Sequence, residues 1–380
     1  MTKTQDNKKI AKKLLNLADI KVGGKRPQDI KVYDDRFYQQ ALTRGSLGVG
    51  ESYMDGLWDA NRLDSFFYQV FSSHLEEKVK GKLRTNILLY GLKGYLINRQ
   101  TGKRAYKNAQ AHYDIGNDLY RSMLGKTMAY SCAYWEWGAK DIDQAQIDKF
   151  DLICKKLGLK KGMKVLDVGC GWGGLPIHMA KKYGCEVTCI TPSKEQIAYI
   201  KSHIKNEKII PKLSTWQDFK TRQKFDRIVS VGMLEHVGPK NYQAYFKAMN
   251  NLLTDGGIKL VQTIGNNIST QKFDPWMDKY IFPGGILPSI KQIAKACEGL
   301  FVTEDWHNFG ADYDKTLMAW HKNFLKSYPG LDHQRYDRRF KRMWEFYLLA
   351  CAGGFRSRNI QLWQIVLSKN GVGGGYKSIR

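Results

Sequence analysis

Apolar residues at Leu63, Phe66, Phe67, Val70 and Phe71 fall at i, i+3, i+4, i+7 and i+8, the stripe of one helical face. Such a stripe predicts core packing rather than a ligand surface. Upstream, residues 8–18 pattern as a short basic helix and GSLGVG (45–50) as a flexible turn. Past residue 111 the grammar changes, because short apolar runs now alternate with helical ones. Strands are predicted at Val165 and Leu166, at Glu186 to Thr191 (EVTCIT), at 209–214 and at Arg227 to Val231. A helix over 242–253 is predicted to stop at Asp255-Gly256-Gly257, before a strand at 258–264. Final strands fall at 301–304 and 364–368, with 341–349 helical between them. Strand and helix in alternation predict a parallel sheet with helices on its faces.

One strand of that series ends in chemistry. In KVLDVGCGWGG (164–174) the apolar run meets Asp167, and then Gly169, Gly171 and Gly173 stand at every second place before a helical pattern resumes. A glycine turn between strand and helix lets a nucleoside-bearing ligand lie against backbone that any larger side chain would block. The spacing is not the dinucleotide pattern G-x-G-x-x-G, and no Lys-Ser/Thr follows as in a phosphate loop. It resembles the first motif of S-adenosylmethionine-dependent methyltransferases.

A length of 380 residues predicts two domains, or one with a large extension. Charge adds a partner. Lys and Arg number 61 against 36 Asp and Glu, a net +25, which implies nucleic acid or an anionic membrane surface. Between Lys78 and Tyr113 stand nine Lys or Arg and no acid, interleaved with aliphatic and aromatic residues. Two readings of that segment stay open: a helix lying on anionic lipid, or a solvated basic face that packs its apolar side inward. Seven cysteines at irregular spacings, with no C-x-x-C pair, imply reduced thiols and no zinc site, hence a cytosolic protein. No run approaches the roughly 18 apolar residues that span a bilayer, so membrane contact is expected to be peripheral.

HYDIGND (112–118), YSCAYW (130–135), VLDVGCGWGG (165–174), EHVGPKNY (235–242) and FGADYDKTLMAW (309–320), with GSLGVGESYMDGLW near the start, together resemble the cyclopropane-fatty-acyl-phospholipid synthase family over essentially the whole chain. The resemblance implies a class I methyltransferase (Rossmann-like) fold, a mixed seven-stranded α/β sheet with a smaller, mainly helical N-terminal domain. Residues 1–101 would be that basic, lipid-binding domain, 102–110 a linker and 111–380 the catalytic domain. It implies S-adenosylmethionine as methyl donor, an unsaturated acyl chain of a membrane phospholipid as acceptor, a bound bicarbonate ion as base, and a homodimer at the inner face of the cytoplasmic membrane.

Site residues carry over one by one. Asp167, Gly169, Gly171 and Gly173 form the cofactor turn. No acid closes the second strand to hold the ribose; TPSKEQ (191–196) matches the family's T-x-S-x-x-Q motif instead, so Thr191 and Gln196 take that part and Ser193 reads as a helix N-cap. Trp216 and Gln217 match an adenine-side Trp-acid pair with Gln in place of Glu, and Trp216 also suits core packing. Tyr130 and Ser131 match residues that close over the methionine end. The anion site would be built by Cys132, Glu235, Gln262, Ile264 and Tyr313.

A carbocation on the acyl chain needs a pocket that stabilises positive charge, offers no nucleophile and holds a base near the new methyl. Gln262 departs from the family, which has His there, and an amide hydrogen-bonds without titrating. His236 reads as a core histidine rather than the base. Cys351 aligns with a cysteine marked as active in the family, yet a thiolate beside a carbocation would be alkylated, and the small apolar residues around it predict burial. The alternatives are another lipid C-methyltransferase of the same family, of mycolic-acid type or non-cyclising, and a non-catalytic basic membrane-binding protein. Intact cofactor glycines argue against the second, and no nucleic-acid-binding motif is present.

Overall fold

The computed structural model describes residues 3–78, 115–205 and 208–380. In chain order the helices are α1 (Lys3–Leu17), α2 (Arg36–Met54), α3 (Leu63–Ser72), α4 (Leu75–Lys78), α5 (Asn117–Leu124), α6 (Ile142–Lys156), α7 (Gly174–Tyr183), α8 (Lys194–His203), α9 (Tyr242–Leu252), α10 (Pro275–Tyr280), α11 (Ile290–Cys297), α12 (Ala311–Ser327) and α13 (Arg338–Arg356). The strands are β1 (Ile30–Val32), β2 (Trp58–Ala60), β3 (Lys164–Val168), β4 (Glu186–Thr191), β5 (Ile209–Leu213), β6 (Phe225–Val231), β7 (Leu253–Asn266), β8 (Val302–Asn308) and β9 (Ile360–Ser368). They form two compact units. Most of the acid-free basic segment and the linker expected at 102–110 lie outside the described residues.

The first unit takes in Met1–Ile97, Gln271–Pro283 and Tyr313–Ile360, so two stretches from the second half of the chain fold with the N-terminal elements. Its core is aromatic. Trp58 is fully buried, with ring centres of Phe37, Tyr53 and Phe66 at 5.4, 5.3 and 5.0 Å. Phe346 of α13 meets Phe67 edge-on at 4.9 Å and Trp276 at 4.5 Å. Gly353 lets α13 and α3 touch, since a Cβ there would stand 2.6 Å from Phe67 Cβ. Buried Asp64 on α3 accepts from Arg356 Nη1 at 2.7 Å and Arg62 Nη2 at 3.0 Å, and Arg356 also binds Asp314. The stripe on α3 thus packs inward as its period predicts, with Leu63, Phe66 and Phe67 buried. GSLGVG is not a turn. It lies in α2, which bends at Gly45 (φ 56°), while Gly50 makes room for the Trp276 indole, 2.3 Å from where a Cβ would be. Here glycine serves close packing rather than flexibility.

The second unit takes in Asn98–Thr270, Gly284–Asp312 and Gln361–Arg380. Its seven-stranded sheet has the order β5-β4-β3-β6-β7-β9-β8. From β5 across β4, β3 and β6 to β7 each strand is parallel to the next, and β8 runs antiparallel to β9. Successive residues of β3 feed opposite faces: Val165 packs with Phe150 and Met179 of α6 and α7, and Leu166 with Tyr245 and Ile293 of α9 and α11. Because both faces are covered, the central strands β3 and β4 are buried along all but their first residue. Asp255-Gly256-Gly257 does not stand outside a strand: β7 runs through it, with a register shift against β6 between Phe225 and Arg227 that absorbs the extra residues as a bulge. The strand order reverses between β3 and β6, the place where open α/β sheets leave a crevice beyond their carboxyl ends.

Candidate active site

The turn after β3 opens into that crevice. Gly169, Gly171 and Gly173 have φ of 91°, 56° and 86°, values that favour glycine. The Gly169 and Cys170 amides both donate to Ile190 O of β4, at 2.9 and 3.2 Å, which pins the loop to the sheet. Gly173 is sterically closed, since a Cβ there would stand 2.7 Å from Ile204 Cδ1, whereas a Cβ on Gly171 would meet nothing within 4 Å. A train of rings leans over the turn: Trp172 to Tyr120 at 4.9 Å and Tyr120 to Tyr130 at 5.1 Å, with Trp172 Nε1 held by Asn117 Oδ1 at 3.0 Å.

At the end of β4 the Thr191 hydroxyl donates to Gln196 Oε1 at 2.6 Å. That bond turns the Gln196 amide so that its Nε2, fully buried, is left without a protein partner. A buried amide hydrogen without a partner costs about 1–3 kcal/mol, and an adenosine hydroxyl is the kind of acceptor that satisfies it. Ser193 caps α8 as its position predicts, accepting from the Gln196 amide at 3.2 Å. Trp216 sits half-buried with its ring edge-to-face on Tyr245 at 5.4 Å, and Gln217 follows it in the turn after β5.

Asp167 is buried between two buried lysines. Desolvation lifts its carboxyl to about 7, against the opposing pull of Lys149 and Lys259. Each lysine is in turn held down at about 7 by its own burial. Lys259 Nζ donates to Tyr245 Oη at 2.8 Å and Lys149 Nζ to Ser131 Oγ at 2.8 Å. With one partial charge balancing another, the cup under the glycine turn keeps polar groups without exposing them to water.

The second cluster lies on β7. Gln262 and Ile264, two residues apart, share one face of the strand. Glu235, on the short 3₁₀ turn Leu234–His236 after β6, accepts the Ile264 amide through Oε1 at 2.7 Å, while its Oε2 is buried without a partner. Burial raises this carboxyl to about 7, although the Ile264 hydrogen bond opposes the shift. Gln262 Nε2 reaches the Cys132 carbonyl at 3.4 Å, and its Oε1 accepts from Gln364 Nε2 of β9 at 2.9 Å. Cys132 is fully buried, with its thiol on Ala133 O at 3.2 Å. Four of the residues the sequence singles out, Cys132, Glu235, Gln262 and Ile264, thus come together here.

Tyr313 and Cys351 belong to the first unit. Tyr313 stacks on Phe355 at 4.5 Å, and Cys351 lies on α13, its thiol pushed up to about 12 by desolvation and by Asp274, far from a thiolate at neutral pH. Burial holds His236 down at about 4, so it is a neutral imidazole near pH 7. Sequence reasoning passes over Gln364, Gln146 and Lys149. The signal for Gln364 was present, a lone amide inside the apolar run LWQIVL; the other two look like the polar face of an ordinary helix.

The profile of the family described as mycolic acid cyclopropane synthetase matches residues 100–365. The chain is 48% identical over 372 residues to cyclopropane-fatty-acyl-phospholipid synthase of Escherichia coli, covering 98% of this chain and 96% of that one. Among solved structures, the cyclopropane synthase MmaA2 from Mycobacterium tuberculosis superposes with a TM-score of 0.63 at 29% identity, over 72% of this chain and 100% of its own. A mycolic acid cyclopropane synthase complexed with SAH and CTAB gives 0.62 at 33% identity, over 70% and 98%. With the glycine turn, the Thr191–Gln196 pair and these matches together, the chain belongs to the mycolic acid cyclopropane synthetase family and is an S-adenosylmethionine-dependent methyltransferase.

Proposed function

We propose that this enzyme joins a methyl group to the cis double bond of an unsaturated acyl chain in a membrane phospholipid and closes it to a cyclopropane ring. The observation that carries the reading is the Glu235 side chain, buried, half-unpartnered and bonded to β7 at the Ile264 amide, two residues from Gln262. When bound, S-adenosylmethionine would supply an electrophilic methyl group, and a bicarbonate ion, which Glu235 and Gln262 would hold, would supply a base for the proton that ring closure releases.

The chain's own part is to bind, orient and exclude water. Gly171 leaves space for the nucleoside, Gln196 Nε2 offers a donor to the ribose, and Tyr130 and Ser131 close over the amino-acid end. Glu235, near its midpoint at neutral pH, shares one proton with a small anion, either as donor or as acceptor. The Gln262 amide, fixed by Gln364, donates without titrating. A cation on the acyl chain must meet no nucleophile, and the Cys132 thiol is turned onto Ala133 O. The E. coli relative carries a phospholipid in its name, and the net charge of +25 suits an anionic bilayer; among the described residues no helix is long and apolar enough to cross one. The charge and the relative's name support the membrane surface as the place of action.

Purified protein supplied with S-adenosylmethionine and vesicles of unsaturated phospholipid should yield cyclopropane acyl chains by gas chromatography, and less of them in bicarbonate-depleted buffer. Glu235→Gln and Cys132→Ser should lower turnover about 10²-fold or more while changing cofactor affinity little. A methylated product that keeps a branched, open chain would instead support the non-cyclising reading.

A further inference from the structure

Residues 129–132 have no regular secondary structure, yet one helix holds Ala129 and Ser131. Gln146 and Lys149 stand three residues apart on α6, hence on one face, and are 0% and 1% exposed. Gln146 Nε2 uses both its hydrogens, on Ala129 O at 3.2 Å and Ser131 O at 3.0 Å, while its Oε1 is buried without a partner. Lys149 Nζ donates to Ser131 Oγ at 2.8 Å. Packing alone does not call for either side chain. A leucine and a methionine would fill the same volume without burying an orphaned carbonyl oxygen or an amine. What the pair adds is direction: Lys149 Nζ takes one lone pair of Ser131 Oγ, which turns the hydroxyl's own hydrogen away from the helix. Tyr130, the residue before it, carries the ring train over the glycine turn.

We propose that Gln146 and Lys149 are positioning residues for the amino-acid end of the cofactor, aiming the Ser131 hydroxyl to donate to the methionine carboxylate. The proposal rests on the assignment of Tyr130 and Ser131 to the cofactor. Two probes separate it from general loosening of the core: S-adenosylhomocysteine carries the amino-acid end and 5′-methylthioadenosine lacks it.

By titration calorimetry on the full chain, Lys149→Met should weaken S-adenosylhomocysteine about tenfold and leave methylthioadenosine within about twofold. Ser131→Ala should give the same selective loss, and the double variant no more than either alone. Gln146→Leu, which keeps the volume, provides a second route if Lys149→Met does not fold, with the same selectivity expected. Parallel weakening of both ligands overturns the proposal, as does an unchanged Lys149→Met beside a weakened Ser131→Ala. If Ser131→Ala and Tyr130→Phe both bind S-adenosylhomocysteine as the unmodified chain does, the cofactor assignment itself fails.

Discussion

Glu235 holds its proton to a pH at which an exposed glutamate has long lost it. Its folded value is raised from 4.5 to about 7, so the unfolded chain releases the proton first and stability falls as pH climbs through that window, then levels off. Glu235→Gln removes the titration. Relative to the unmodified protein, the variant should gain on the order of 3 kcal/mol between about pH 4.5 and about pH 8, measured by urea unfolding at both ends. A pH-independent difference would show that the carboxyl titrates normally. The same residue was legible in the sequence, because EHVGPKNY carries it, whereas its environment was not: the Ile264 amide comes from a strand some thirty residues away, and only folding supplies it.

The turn after β3 shows how one element divides its labour. Gly173 and Gly171 both need a left-handed backbone, but only Gly173 is also shut in by Ile204 and Ile200. Gly173→Ala should therefore cost stability, about 2–4 kcal/mol from strain and clash together, read as a lowered thermal midpoint. Gly171→Ala should cost only about 1–2 kcal/mol of strain and lose far more in affinity for S-adenosylhomocysteine, because its Cβ enters the open space. Similar affinities for the two variants would place the nucleoside elsewhere. Strands and helices of the second unit were readable because apolar period and caps agree with the tertiary outcome; Ser193 and Asp255-Gly256-Gly257 mark the two limits. The serine caps where it stands, while the glycines become a bulge, since β6 offers a neighbour that a sequence window cannot contain. GSLGVG misleads for a related reason: Gly50 answers to Trp276, more than two hundred positions on.

At the scale of the molecule, each unit is assembled from three separate stretches of chain. The composition shift from which a boundary near residue 101 is expected is visible in the sequence; the return of α10 and α13 to the first unit is not, because their stripes are apolar in the same way whatever they cover. Residues 1–97 expressed alone lose Phe346 and Trp276 from the aromatic core and Arg356 from Asp64. Such a fragment should show no cooperative unfolding transition by circular dichroism; a sharp transition would mean that the N-terminal elements hold themselves together.

The partnership of Asp64 with Arg356 spans 292 positions. At ribosomal speeds of roughly 5–20 residues per second, α3 leaves the exit tunnel roughly 15–60 seconds before the helix that shields it has been made. Through that wait the face of α3 that Phe67 turns toward Phe346 stays uncovered on the nascent polypeptide, an apolar surface of the kind that holding chaperones bind.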